Sequence, residues 1–182
     1  HWPNPAIPLA PTLAAMEVLK EDGRTRAIGV ANFPAPLLEA AVATGAPVAC
    51  NQVEYHVALG QEAVLRVARA ADIAVTAYSP LGRGGLADDA VLAGIGRRHG
   101  ATGAQVALAW LLEQDRVAAI PKSGRIENMR ANLAALDLRL TDEDRAAIAA
   151  LPKDRRFVNP SWSPVWDQAP AAPEGPRQGG VA

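Results

Sequence analysis

Cysteine is almost absent from these 182 residues, and Cys50 is the only one. No intrachain disulfide can form, and a cysteine-based zinc cluster lacks its ligands. Cys50 ends the apolar run ProValAlaCys with no basic neighbour, so a small buried hydrophobe is expected there rather than a reactive thiol. Histidine is nearly as scarce. His56 and His99 have no partners at metal spacing and are expected to be structural or solvated, so no metal site is expected. The formal charge of −1 gives no reason to expect a nucleic-acid or membrane partner. No apolar run reaches the ~18 residues of a membrane span, and no basic segment followed by an apolar one suggests a leader. With the single cysteine, this predicts a soluble, cytoplasmic protein. Walker loops and Gly-x-Ser-x-Gly elbows are missing as well.

What is present is a set of apolar runs that each end in hydrogen-bonding side chains. ThrArgAlaIleGlyValAlaAsnPhe (25–33) is one, and others finish at Asn51-Gln52, Tyr78-Ser79 and Lys122-Ser123. Buried strands that finish this way describe a parallel β/α array with its chemistry at the strands' carboxyl ends. A fifth such ending, HisTrpPro at 1–3, has no strand before it, so the chain is expected to begin inside a barrel. Strands are predicted at 26–30, 48–53, 73–78 and 117–120. Helices are predicted at 11–21, 34–44, 61–71, 88–99, 102–114, 125–136 and 141–151. Thr141 with Asp144 forms a weak capping box. The order argues a parallel sheet with right-handed crossovers. Since a closed eight-stranded barrel takes about 250 residues, an open doubly wound sheet fits the periodicity too. Residues 1–168 are assigned to one α/β domain. Residues 169–182, rich in Pro, Ala and Gly with almost nothing to bury, are expected to be disordered.

Two loops invite a phosphate. GlyArgGlyGlyLeuAla (82–87) fits G-x-G-x-x-A, but no acidic residue follows about 20 positions on, as a dinucleotide fingerprint requires. A flexible loop in which Arg83 could cover a phosphate is the better reading. ProLysSerGlyArgIle (121–126) places a cation, a hydroxyl and the free N–H groups of a helix start around one point, which is the physics of a phosphate site. A solvated Lys122 beside a Ser123 N-cap is the plainer alternative.

HisTrpPro, IleGlyValAlaAsnPhe, AsnGlnValGluTyrHis, TyrSerProLeuGlyArgGly and IleProLysSer, in this order and spacing, resemble the aldo/keto reductase family. AsnLeuAlaAlaLeuAspLeuArgLeuThrAspGluAsp and AsnProSerTrpSerProValTrpAsp resemble the family's end, especially its bacterial 2,5-diketo-D-gluconate reductase branch. The resemblance covers roughly His1 to Gln168. It implies a (β/α)₈ barrel, here incomplete with about strands 4 to 8 and their helices. It implies NADP(H) bound in extended form at the C-terminal face and a monomeric full-length enzyme that reduces small aldehydes, ketones or keto-sugars.

Carried over residue by residue, Asn32 and Gln52 would bond the nicotinamide carboxamide, and Tyr78 would stack on its ring. Ser79, Leu81 and Gly82 would line the pyrophosphate loop, Lys122 and Ser123 would hold the 2′-phosphate, and Asn132 would contact the adenine. His1 matches the histidine that orients the carbonyl. Two positions depart from the family. Ala31 replaces a serine, and Asn128 stands where a 2′-phosphate arginine is usual, with Arg125 or Arg130 as substitutes, so NAD(H) use is not excluded. The family's catalytic tyrosine, lysine and aspartate match no position here. Tyr55 and Tyr78 are not expected to replace the acid. A catalytically inactive, nucleotide-binding remnant is therefore the alternative to a working reductase, and an unrelated open-sheet binding module is a third class. Trp2, Trp162 and Trp166 are expected to wall an aromatic substrate pocket.

Overall fold

The structure, a computed structural model, describes residues 1–167. The expected disorder of 169–182 lies outside the described residues. The elements are α1 (Leu9–Glu21), β1 (Ile28–Ala31), α2 (Ala35–Ala43), β2 (Val48–Glu54), α3 (Glu62–Ala70), β3 (Ala74–Tyr78), α4 (Ala90–Arg98), α5 (Gly103–Leu112), β4 (Val117–Ala119), α6 (Ile126–Ala134) and α7 (Asp142–Ala149). Every predicted strand and helix is found, with ends displaced by at most two residues. Helix α1 starts earlier than expected, at Leu9, because Pro11 falls in the first turn, where no N–H is needed.

Four strands lie side by side in chain order, all parallel. Strand β1 packs tightly on β2 because Gly29 has no side chain. A Cβ there would stand 2.9 Å from the Cys50 carbonyl oxygen. Cys50 is accordingly not the fully buried hydrophobe expected. It is half-buried, with Sγ 3.1 Å from Thr76 Oγ1.

Side chains alternate across the sheet. Val53, Val75 and Ala77 face the helices and join Leu13, Leu38 and Val64 in one buried cluster. A second cluster of Leu92, Ile95, Val106, Leu140 and Ile148 gathers α4, α5 and α7. Three devices fix the helices that follow β3. Asp89 accepts from the N–H groups of Val91 and Leu92 at the start of α4. Thr102 and Gln105 form a capping box on α5. Thr141 and Asp144 form the expected one on α7.

The carboxylate of Asp144, 1% exposed, does more than cap. Arg98 donates to it at 2.5 Å and His99 Nε2 stands 2.7 Å away, which joins α7 to the end of α4. Burial alone would raise this carboxyl. The Thr141 backbone N–H, His99, Arg98 and the Thr141 hydroxyl together hold it far below the usual carboxylate range. Of the two histidines expected to be structural or solvated, His99 therefore has a structural partner, and His56 is fully buried against Glu54. Among the described residues no helix is long and apolar enough to cross a membrane.

Candidate active site

Because all four strands are parallel, their carboxyl ends open on one side. The turn after β1 is built around Asn32, which is 2% exposed and left-handed at φ 60°. Asparagine tolerates that region better than most residues. Its N–H donates to the Gln52 carbonyl (2.8 Å) and its Nδ2 to the His1 carbonyl (2.8 Å), while its Oδ1 accepts from the Tyr78 hydroxyl (2.8 Å). Asn51 Nδ2 donates to the Phe33 carbonyl (2.9 Å) and secures the next residue. Asn32 thus reaches β2 through its backbone N–H, and β3 and His1 through the side-chain amide expected to read a carboxamide. Gln52 stands in register between Ala31 and Thr76.

Burial, and then the Glu54 carboxylate, push the Tyr78 phenol up to about 12. Burial, and then Glu62, raise Tyr55 further, and its ring packs edge-on against Trp110 at 5.6 Å. Both tyrosines keep their protons through the neutral range.

Between the ends of β3 and β4 lies a groove of about 730 Å³. It gathers Ser79, Leu81, Lys122, Ser123 and Asn132 from the expected set, together with Arg83 and Asn128. The two arginines suggested as substitutes at Asn128, Arg125 and Arg130, are not among its lining residues, whereas Arg83 is. Ser123 is not an N-cap. Its hydroxyl accepts from the Arg125 N–H and donates to the Arg125 carbonyl, both at 3.1 Å, closing a turn ahead of α6. Arg125 takes the N-cap position with no side-chain cap, so the first-turn N–H groups of α6 stay available to an anion.

Gly82 departs from its expected place. It is buried outside the groove lining at φ +53°, and a Cβ would come 2.6 Å from the Phe157 ring. Close packing, rather than approach to a pyrophosphate, accounts for glycine there.

A second cavity, also about 730 Å³, is largely apolar and takes in His1, Trp2, Leu13, Met16, Phe33 and Trp162. Trp166 is not part of that lining. It borders a separate cleft of about 270 Å³ beside Arg156 and Asp167. Its ring still meets Trp2 edge-on at 6.1 Å, so it backs the pocket wall rather than forming it. Gln52 lines none of these three cavities.

The sequence reading missed Glu54, Arg156 and Asp167. Glu54 is fully buried, accepts from the N–H groups of Phe157 (2.8 Å) and Val158 (3.0 Å), and stands 3.7 Å from Arg156 Nη1. The Arg156 guanidinium lies 3.8 Å over the Trp166 ring, and Asp167 accepts from the first N–H of α2 at 2.8 Å. A carboxylate closing a buried strand is the signal that could have found Glu54, since a charge is buried only with partners.

A parallel β/α sheet whose carboxyl ends carry an amide-rich corner and a polar groove lined by Arg83 and Lys122 defines the class, part of a (β/α)₈ barrel. Residues 1–153 match the aldo/keto reductase family, and the chain belongs to it. It is 41% identical over 172 residues to methylglyoxal reductase DkgB of Salmonella typhimurium, covering 92% of this chain and 64% of that protein. A Mycolicibacterium smegmatis aldo-keto reductase is 38% identical, covering 86% of this chain and 58% of that one. A solved structure provisionally assigned as 2,5-diketo-D-gluconic acid reductase B has TM-score 0.88 and 38% identity, covering 92% of this chain and 61% of that one. Giardia lamblia aldose reductase has TM-score 0.80 and 32% identity, covering 85% of this chain and 54% of that one. The chain thus spans less than two thirds of these relatives' length. Its four strands form part of the family barrel.

Proposed function

We propose that this chain carries the cofactor-binding side of an NADP(H)-dependent reductase of small aldehydes, ketones or keto-sugars. The observation that supports the reading most is the groove between β3 and β4. It brings Ser79, Lys122, Ser123 and Asn132 into one lining although 53 residues separate the first from the last. Lys122 and the open first turn of α6 would hold an adenosine 2′-phosphate, and Asn132 the adenine. Tyr78 would offer its ring to the nicotinamide, with Gln52 beside it. The bound cofactor would supply a hydride, His1 would orient the carbonyl, and the apolar cavity behind Trp2 and Trp162 would exclude water.

Tyr55 and Tyr78 stand in motifs that match other positions of the family, and neither is offered as the acid that protonates the carbonyl oxygen. We infer that the chain by itself binds cofactor without turnover. This is the second reading kept from the sequence, and it rests on the unmatched tyrosine, lysine and aspartate.

The test pairs fluorescence titrations of NADPH and NADH with the variants Lys122→Ala and Asn128→Arg. A charge-assisted contact to phosphate is worth about 1.5–3 kcal/mol, so Lys122→Ala should weaken NADPH roughly 10–150-fold and leave NADH nearly unchanged. Asn128→Arg should tighten NADPH alone. Equal losses for both cofactors in Lys122→Ala would remove the phosphate role from Lys122.

A further inference from the structure

Among the described residues, the segment after Lys153 forms no helix, and in strand-like pairing only an isolated bridge at Asp154, yet it crosses the strand ends. Its hydrogen bonds converge on Glu54. Both carboxylate oxygens are used: Oε1 takes the Phe157 N–H and faces His56 Nε2 at 3.2 Å, while Oε2 takes the Val158 N–H and faces Arg156. Three consecutive residues of the segment therefore answer to one buried carboxylate. From Arg156 the contact passes to Trp166 by stacking and from Trp166 to Trp2 edge-on, while the Trp166 indole N–H donates to Asn159 Oδ1 at 2.8 Å. The far end is tied to α2 through Asp167.

We propose that Glu54 is a positioning residue, a latch that holds residues 156–167 across the strand ends and so sets the tryptophan wall of the candidate carbonyl pocket. Only the pocket half of this statement rests on the proposed function; the latch itself does not. Glu54 touches neither cavity that would hold cofactor or carbonyl, so it acts through Arg156 and Trp166. A carboxylate suits this role because it accepts from several N–H donors at once, whereas an amide of the same size must turn one N–H against another.

The test is hydrogen exchange on the full 182-residue chain, wild type against Glu54→Gln. Loss of a charged acceptor should speed exchange of the Phe157 and Val158 amides about tenfold or more, with β2 and β3 amides changing less than about twofold. The indole N–H resonance of Trp166, assigned by Trp166→Phe, should shift and lose protection with them. Uniform acceleration across the sheet, or an undisturbed segment 156–167, would overturn the latch. Should Glu54→Gln not fold, the wild-type chain decides: protection at Phe157 and Val158 must approach that of β2, and fraying like a free loop overturns the proposal. Binding of 2′,5′-ADP by the wild type, measured separately, bears on the cofactor reading alone. Its absence would sink that reading and leave the latch standing.

Discussion

Replacing Gly82 by alanine tests whether packing, rather than a cofactor, demands glycine after β3. Two costs arise in the structure. At φ +53° an alanine Cβ enters the left-handed region, at about 1–2 kcal/mol. The same Cβ would sit 2.6 Å from Phe157 Cε2 and 2.9 Å from Leu86 Cγ, an overpacking that costs about 1–3 kcal/mol. The sum is about 2–5 kcal/mol, a large share of the ~5–15 kcal/mol that holds a domain together. Urea unfolding followed by circular dichroism measures it at protein concentrations where the chain is monomeric. Phe157→Ala largely separates the two parts, because on that background only the Leu86 contact remains and Gly82→Ala should cost clearly less, nearer the ~1–2 kcal/mol of backbone strain. A cost below about 0.5 kcal/mol, or one unchanged by removing the Phe157 ring, would refute the packing argument.

Two further outcomes concern titration. Asp144 is held below its unfolded value near 3.9, so its contribution to stability is complete above that pH and is lost as pH falls through the folded value. Asp144→Asn should flatten the acid limb of a stability-versus-pH curve measured by urea midpoints, and an unaltered acid limb would contradict the Arg98–Asp144–His99 clamp. The chain has two tyrosines, and both are pushed upward, Tyr78 to about 12. The ultraviolet signal of tyrosinate should therefore stay flat through the usual value near 10, and a full rise there would show that neither phenol is buried as described.

The strands were legible because each apolar run ends abruptly, and Gly23 and Gly45, both left-handed, stop α1 and α2 where the periodicity stops. Lys122 and Ser123 stand together in one groove with Asn132 of α6 because they follow β4, whose direction parallel topology fixes. At Gly82 one dimension does not decide, because a glycine that avoids a ring 75 residues away looks, in the sequence, like a glycine that admits a phosphate. Trp166 was grouped with Trp2 and Trp162 for a similar reason, because which side of the strap a ring occupies depends on Arg156 and Asn159. Glu54 stood in a quoted motif without a role. Apart from His56, its partners Arg156, Phe157 and Val158 lie over 100 residues along the chain, and nothing local announces them.

The central claim is that the corner formed by Lys122, Ser123 and the start of α6 reads a 2′-phosphate. Calorimetric titration of the chain with 2′,5′-ADP and with 5′-AMP tests it without the nicotinamide end. The account predicts that 2′,5′-ADP binds about tenfold or more tightly than 5′-AMP, as a charge-assisted phosphate contact requires, and that the preference disappears in Lys122→Ala. Equal affinity for the two nucleotides in the wild-type chain would contradict it.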